Sequence, residues 1–236
     1  MAIEKINTKL AGLPPAWMSR ATQRPGAMAH SAEIKKILGE PIPQEVDPKL
    51  LSPKIAEFFR RNGTLERLRK KLSLISKKKG GRFIPARNTI AAVDEDDNVY
   101  VGVEFLERFG DDEDLIAAII SHEWGHMLSD RRNIDWSHLS WDELHAMRRD
   151  EEGEADGFAG RALFFMGYAT EQMIDFLHLL DRTRKNKKLP QLKYHNTPTR
   201  VEILKQSFEA AKRSMEIAHR IFGKNGPKIG KILGAG

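Results

Sequence analysis

At 236 residues, with 31% charged side chains and a net charge of +6, the chain has a water-compatible globular composition and the length for one sizeable core. Its longest apolar runs, such as "LIAAII", fall far short of the roughly 18–20 residues a bilayer span requires, so no membrane span is expected. The absence of cysteine excludes disulfides and zinc ribbons.

The first segment, 1–30, holds "LPPAW" and "QRPGAMAH" without sustained periodicity and reads as an extended or disordered arm. It lacks the basic head and continuous apolar stretch of a signal peptide, so a cytoplasmic location is expected. A helical region, 31–84, follows. "SAEIKKILG" has Ser31 as a cap and Gly39 as a stop, and "PIPQEVDP" is a proline-punctuated loop. "SPKIAEFFRRNGTLERLRKKLSLI" then places apolar residues at helical spacing, with a break near "RNG". "SKKKGGR" (76–82) reads as a flexible basic loop and an internal boundary.

Next the period changes. "NTIAAVDEDDNVYVGVEFLERFG" predicts two short strands, 89–93 and 98–103, around an acidic turn. The second of them is expected to form an exposed edge on which an extended peptide could add as another strand. "DDEDLIAAIISHEWGHMLSD" then opens a helix with acids that suit the positive end of its dipole. A mostly helical remainder follows, interrupted near "NIDWSHLSW", "FMGYAT" and "KNKKLPQLKYHNTP". The tail, 223–236, is rich in Lys and Gly and reads as flexible and basic. The fold class expected is α+β, mainly helical, with a small sheet preceding the motif helix.

Charge is unevenly spread. From Arg60 to Arg87 there are eleven Lys and Arg against one acid, and from Asp94 to Asp156 twenty acids against five bases. After Asp181 the balance is fourteen Lys and Arg against three Glu. Solvated helix faces account for such flanks, which also leave room for an anionic partner or membrane surface. Nothing argues for nucleic acid, because no aromatic residues interleave the basic runs in a recognised motif.

The chemistry concentrates at "HEWGH". In a helix, His122 and His126 lie one turn apart on one face and can point at one ion. Glu123 sits where a carboxylate reaches an activated water. By chance, such a string arises in about one in thirty chains of this length, so the motif alone is suggestive only. Catalytic zinc needs a third protein ligand. His30, His138, His145, His178 and His219 make no second paired motif. "RRDEEGEADGFAGRALFFMG" offers a carboxylate instead. Glu152 and Asp156 are four apart, and Ala155, Ala159 and Gly160 would let that helix approach another backbone closely. Glu152 is the expected ligand, with Glu151 or Glu154 next in line. Asp156 is expected to hydrogen-bond the outer nitrogen of a ligand histidine.

"HEWGH" followed by "EGEAD" (152–156) resembles the HtpX-like and CAAX-prenyl-protease-like family of gluzincin zinc metallopeptidases. The likeness covers roughly residues 85–205. It implies a zincin-like catalytic domain, taken as 85–222, with one Zn2+ per chain held by His122, His126 and Glu152, and with Glu123 as general base. It implies peptide-bond hydrolysis of a protein or peptide substrate. The family's further His-Pro motif with a downstream arginine has a loose counterpart in "YHNTPTRVEIL", which nominates His195 as a catalytic residue and Arg200 as a substrate contact. Tyr194 competes with His195 for contact with the oxyanion. Two other readings stay open: a regulatory zinc protease that cleaves a single partner such as a repressor, and a non-catalytic zinc-binding scaffold with basic interaction surfaces.

Overall fold

A computed structural model of the chain describes residues 42–129, 139–186 and 194–222. The expected arm at 1–30, the helix at 31–39 and the tail at 223–236 lie outside these described residues. The fold is mainly helical with a small four-stranded sheet.

The first strand, β1 (Gln44–Glu45), leads through a short 3-10 turn into α1 (Pro53–Phe58), capped by the Ser52 hydroxyl. Helix α2 (Thr64–Ser76) turns Leu65, Leu68 and Leu72 inward, as its apolar spacing requires. Three further strands follow: β2 (Phe83–Arg87), β3 (Ala91–Val93) and β4 (Val99–Gly102). The acidic turn between β3 and β4 is organised by Asp94, whose carboxylate accepts from the backbone of Asp96 and Asn98. Helices α3 (Val103–Phe109), α4 (Glu113–Met127), α5 (Trp141–Met166), α6 (Glu171–Asn186) and α7 (Thr197–Phe222) complete the chain. Among the described residues, no helix is long and apolar enough to cross a membrane.

Strand order is β1-β2-β4-β3, with β4 parallel to β2 and antiparallel to β3. The strand expected to be an edge is therefore interior, bonded on both sides. The edge strand next to the motif helix is its hairpin partner β3. Strand β2 was not anticipated, because Pro85 at its centre removes a ladder donor and reads as a break.

Helix α4 runs through the middle of the core. The Asp112 carboxylate caps it, accepting from Leu115 N at 3.0 Å, and Glu113 and Asp114 occupy its first turn. Its residues from Leu115 to Ser121 are all buried, so it is covered on every side rather than along one stripe. Helices α2, α5 and α6 and strand β3 do the covering, so residues 53–76 share one core with the motif helix. The basic loop at 76–82 is fastened to that helix. Trp124 Nε1 donates to Ser76 Oγ at 3.0 Å, and Lys78 Nζ donates to the Met127 carbonyl at 2.6 Å while pairing with Asp97.

The basic run from Arg60 to Arg87 is also partly engaged. Arg60, Arg67, Arg69, Lys78 and Arg87 pair with Glu57, Glu113, Glu66, Asp97 and Glu104, and Lys71 lies over the Tyr168 ring. Six of its eleven cations thus have partners within the protein.

Candidate metal centre

Two helices build the centre, and the absence of side-chain bulk sets their separation. A Cβ on Gly125 would stand 2.7 Å from Ala155 Cα, inside the van der Waals limit, so α4 and α5 touch backbone to backbone. On the far side of α5, a Cβ on Gly160 would meet the Leu204 carbonyl at 2.2 Å, so α7 is drawn in equally closely. The anticipated small-residue approach is present at both crossings.

Across the first crossing, His122 and His126 face Glu152. The two Nε2 atoms are 3.3 Å apart, His122 Nε2 is 3.2 Å from Glu152 Oε2, and His126 Nε2 is 3.7 Å from Glu152 Oε1. Their side chains are only 9, 11 and 5% exposed. Ligand bonds of about 2.0–2.2 Å at tetrahedral angles put ligand atoms about 3.3–3.6 Å apart, and the separations here, 3.2 to 3.7 Å, lie around that range. Glu152 Oε2 is buried and faces His122 Nε2 at 3.2 Å, outside ideal hydrogen-bond geometry, so the carboxylate and the imidazole nitrogens are gathered in one place. The residues fit a metal ion: this buried group could hold one, and among the described residues no other such cluster occurs.

The outer ring nitrogens are held as well. His122 Nδ1 lies 2.9 Å from Asp156 Oδ1, a contact better in distance than in angle. His126 Nδ1 lies 3.4 Å from Glu151 Oε1. A carboxylate at Nδ1 favours the proton there, so Nε2 is the nitrogen that a metal would take, in exchange for any proton it carries. Asp156 thus takes the place expected for it. Glu151, considered in sequence only as a substitute ligand, instead faces the outer side of His126 and also pairs with Arg148.

Asp156 is in turn fixed by Arg200, whose Nε and Nη2 donate to its two oxygens at 2.7 and 2.8 Å. Asp156 is fully buried and Arg200 is 8% exposed. The local cause is the start of α7. The Asn196 side chain accepts from Thr199 N at 2.9 Å, so "NTPTR" is a capped helix start. Arg200, one turn in, points at α5.

Electrostatics follow from this burial. Burial opposes a charge on His122, but contact with Asp156 and then Glu152 outweighs it and pushes the pKa up to about 10. Burial likewise works against ionised Glu151, yet His126 and Arg148 hold it down at about 2. Glu152 is also held below the usual carboxylate range, with burial overcome by His126 and His122. Burial disfavours ionised Asp156, but its bonds from Arg200 hold the carboxyl low. The carboxylates favour positive charge where the Nε2 atoms converge.

Beside the centre lies a cleft of about 440 Å3 into which His122, Glu123 and Tyr194 open. Strand β3 and the residues before it form one wall, and α6 forms the other. Arg200 reaches the cleft floor with its guanidinium committed to Asp156. His195 lines a different hollow, of about 480 Å3, on the opposite side of α5 beside Gly153. The structure therefore brings together His122, Glu123, His126, Glu152, Asp156, Tyr194 and Arg200, and sets His195 apart. Comparison of the chain with models of known protein families, with curated proteins and with solved structures finds no match.

Proposed function

We propose that the protein is a zinc-dependent endopeptidase of the HtpX-like and CAAX-prenyl-protease-like gluzincin kind. The observation that carries this reading is the buried His122, His126 and Glu152 group, of which His122 lines a cleft beside Glu123. Two imidazoles and one carboxylate form the donor set of catalytic zinc, with a fourth position left for chemistry. A zinc ion held there supplies Lewis acidity, polarising the scissile carbonyl and acidifying water.

The chain's own residues do the rest. Glu123 takes the proton of the attacking water and hands it to the leaving amine. Tyr194, which lines the same cleft, donates a hydrogen bond to the developing oxyanion. His195, on the other side of α5, has no part in this step. In this reading an extended substrate lies alongside β3, whose Ala91 and Ala92 line the cleft, the role first expected of β4. Asp156 and Glu151 keep the two imidazoles oriented. A regulatory protease with a single partner would use the same machinery. A purely structural metal site would have no use for Glu123 at the cleft.

The test separates metal from turnover. Glu123→Gln is expected to bind one zinc per chain and to hydrolyse no peptide, whereas Glu152→Ala is expected to lose zinc affinity as well. Full zinc affinity in Glu152→Ala would overturn the ligand assignment. Undiminished proteolysis in Glu123→Gln would overturn the mechanism.

A further inference from the structure

Behind each imidazole of the centre stands a carboxylate, and behind each carboxylate an arginine. On one side the line runs from Arg200 to Asp156 to His122 and draws on three helices. The His126 side has the same order of groups. His126 Nδ1 lies 3.4 Å from Glu151 Oε1, and the other oxygen of Glu151 pairs with Nη1 of Arg148.

This second line is local. Arg148 and Glu151 are three apart on α5, so helix geometry alone stacks them on one face. Pairs of that spacing hold little at a wet surface, as with Arg60 and Glu57, whose side chains are 65 and 60% exposed. Arg148 and Glu151 are 11 and 14% exposed, which removes most of the screening and strengthens the charged hydrogen bond between them. Arg148 also reaches the expected metal ligand, with Nη2 3.7 Å from Glu152 Oε1. One guanidinium therefore spans the carboxylate that orients His126 and the carboxylate that faces the ion.

A cation in that place has two opposed effects. As a bare charge it repels a divalent ion, so its removal would tighten metal binding. As the fastening of Glu151 it keeps a carboxylate on the outer nitrogen of His126, so its removal would weaken metal binding. The surroundings decide between them. Arg148 stands against two carboxylates, which cancel much of its field at the centre. The contact of Glu151 with its ring is the longer of the two outer contacts, 3.4 Å against 2.9 Å for Asp156 and His122. A carboxylate held that loosely by the imidazole depends on its other partner.

We propose that Arg148 is a positioning residue of the metal centre, acting chiefly through Glu151 on the orientation of His126. This rests on the metal-binding part of the reading above and needs no assumption about the reaction.

The experiment is zinc titration of the full chain against a competing chelator, with thermal unfolding in excess chelator run beside it. Arg148→Met is expected to bind zinc about 10- to 100-fold more weakly than wild type, the range for loss of an outer partner of a ligand. Arg148→Lys keeps the charge but cannot span two carboxylates, and is expected to fall between the two. Arg60→Met, which breaks a pair of the same spacing elsewhere, is expected to leave zinc affinity unchanged. Combining Arg148→Met with Glu151→Gln should cost well short of the product of the two single losses, because one acts through the other. The visible absorption of the Co2+-loaded protein should shift in Arg148→Met and not in Arg60→Met, a change that lost stability alone does not produce. Unchanged or tighter zinc binding in Arg148→Met overturns the assignment, as does a double variant that loses the full product. Should Arg148→Met fail to fold, wild-type affinity with an unshifted cobalt spectrum in Arg148→Lys overturns it instead. A wild type that takes up no zinc overturns the metal reading and this inference with it, whereas a zinc-binding wild type with unaffected Arg148 variants overturns the inference alone.

Discussion

Replacing Asp156 with Asn removes one charge from the interior and changes almost no volume. In the native protein Asp156 accepts two bonds from Arg200, at 2.7 and 2.8 Å, with Arg200 itself 8% exposed. After the change the guanidinium stays buried beside a neutral amide that can accept at only one oxygen. Breaking a buried pair by removing one partner costs about 3–5 kcal/mol. For a domain of this size each kcal/mol is worth about 2–4 °C, so the melting temperature is expected to fall by about 6–20 °C. The assay is thermal unfolding with a chelator present, so that metal binding does not contribute. Arg200→Met should cost a similar amount, because it strands the carboxylate instead. The double variant Asp156→Leu, Arg200→Met should cost far less than the sum of the two single changes. The pH dependence has a definite sign. Asp156 is held below its ordinary pKa, so its contribution is complete above the unfolded value of about 4 and fades as pH falls through the folded value. The gap between wild type and Asp156→Asn should therefore be full at neutral pH and narrow below about pH 4. Single changes costing under about 1 kcal/mol, or strict additivity within about 0.5 kcal/mol, would refute the reasoning.

Three other outcomes are expected. Gly125→Ala would place a methyl 2.7 Å from Ala155 Cα, so it should lower stability by about 1–3 kcal/mol and weaken zinc affinity as α4 and α5 part, measured by denaturant unfolding and metal titration. Glu151→Gln should reduce zinc affinity by about 10- to 100-fold, with Glu151→Asp recovering part of the loss, because the outer nitrogen of His126 loses its carboxylate. Tyr194→Phe should lower kcat with zinc stoichiometry intact, while His195→Ala should leave both unchanged; a kcat loss confined to His195→Ala would reverse the roles given to these neighbours.

What could be read in the sequence was what lies within one helix. The spacing of His122 and His126, that of Glu152 and Asp156, and the acidic cap of α4 are local regularities, and the structure keeps all of them. The strands at 91–93 and 99–102 were visible for the same reason, from alternation around a turn. The order of those strands in the sheet was not visible, since it depends on β2, which Pro85 disguises. Glu151 stands beside Glu152 in the chain, but whether it faces His126 depends on how α5 crosses α4. The Arg200 bond spans 44 residues and arises because Asn196 starts a helix there. In each of these cases contact between elements decided the outcome.

That 44-residue bond has a consequence for the order in which the protein becomes competent. During synthesis, His122 and His126 emerge well before Glu152, and Arg200 emerges last of the residues that hold the centre in shape. A nascent or truncated chain ending before α7 would carry the complete "HEWGH" and "EGEAD" strings, yet Asp156 would have no guanidinium to meet it. Until α7 docks, the two motifs thus lack the guanidinium that fixes Asp156, and under the proposed hydrolase reading the site would stay unassembled while the chain is still unfolded.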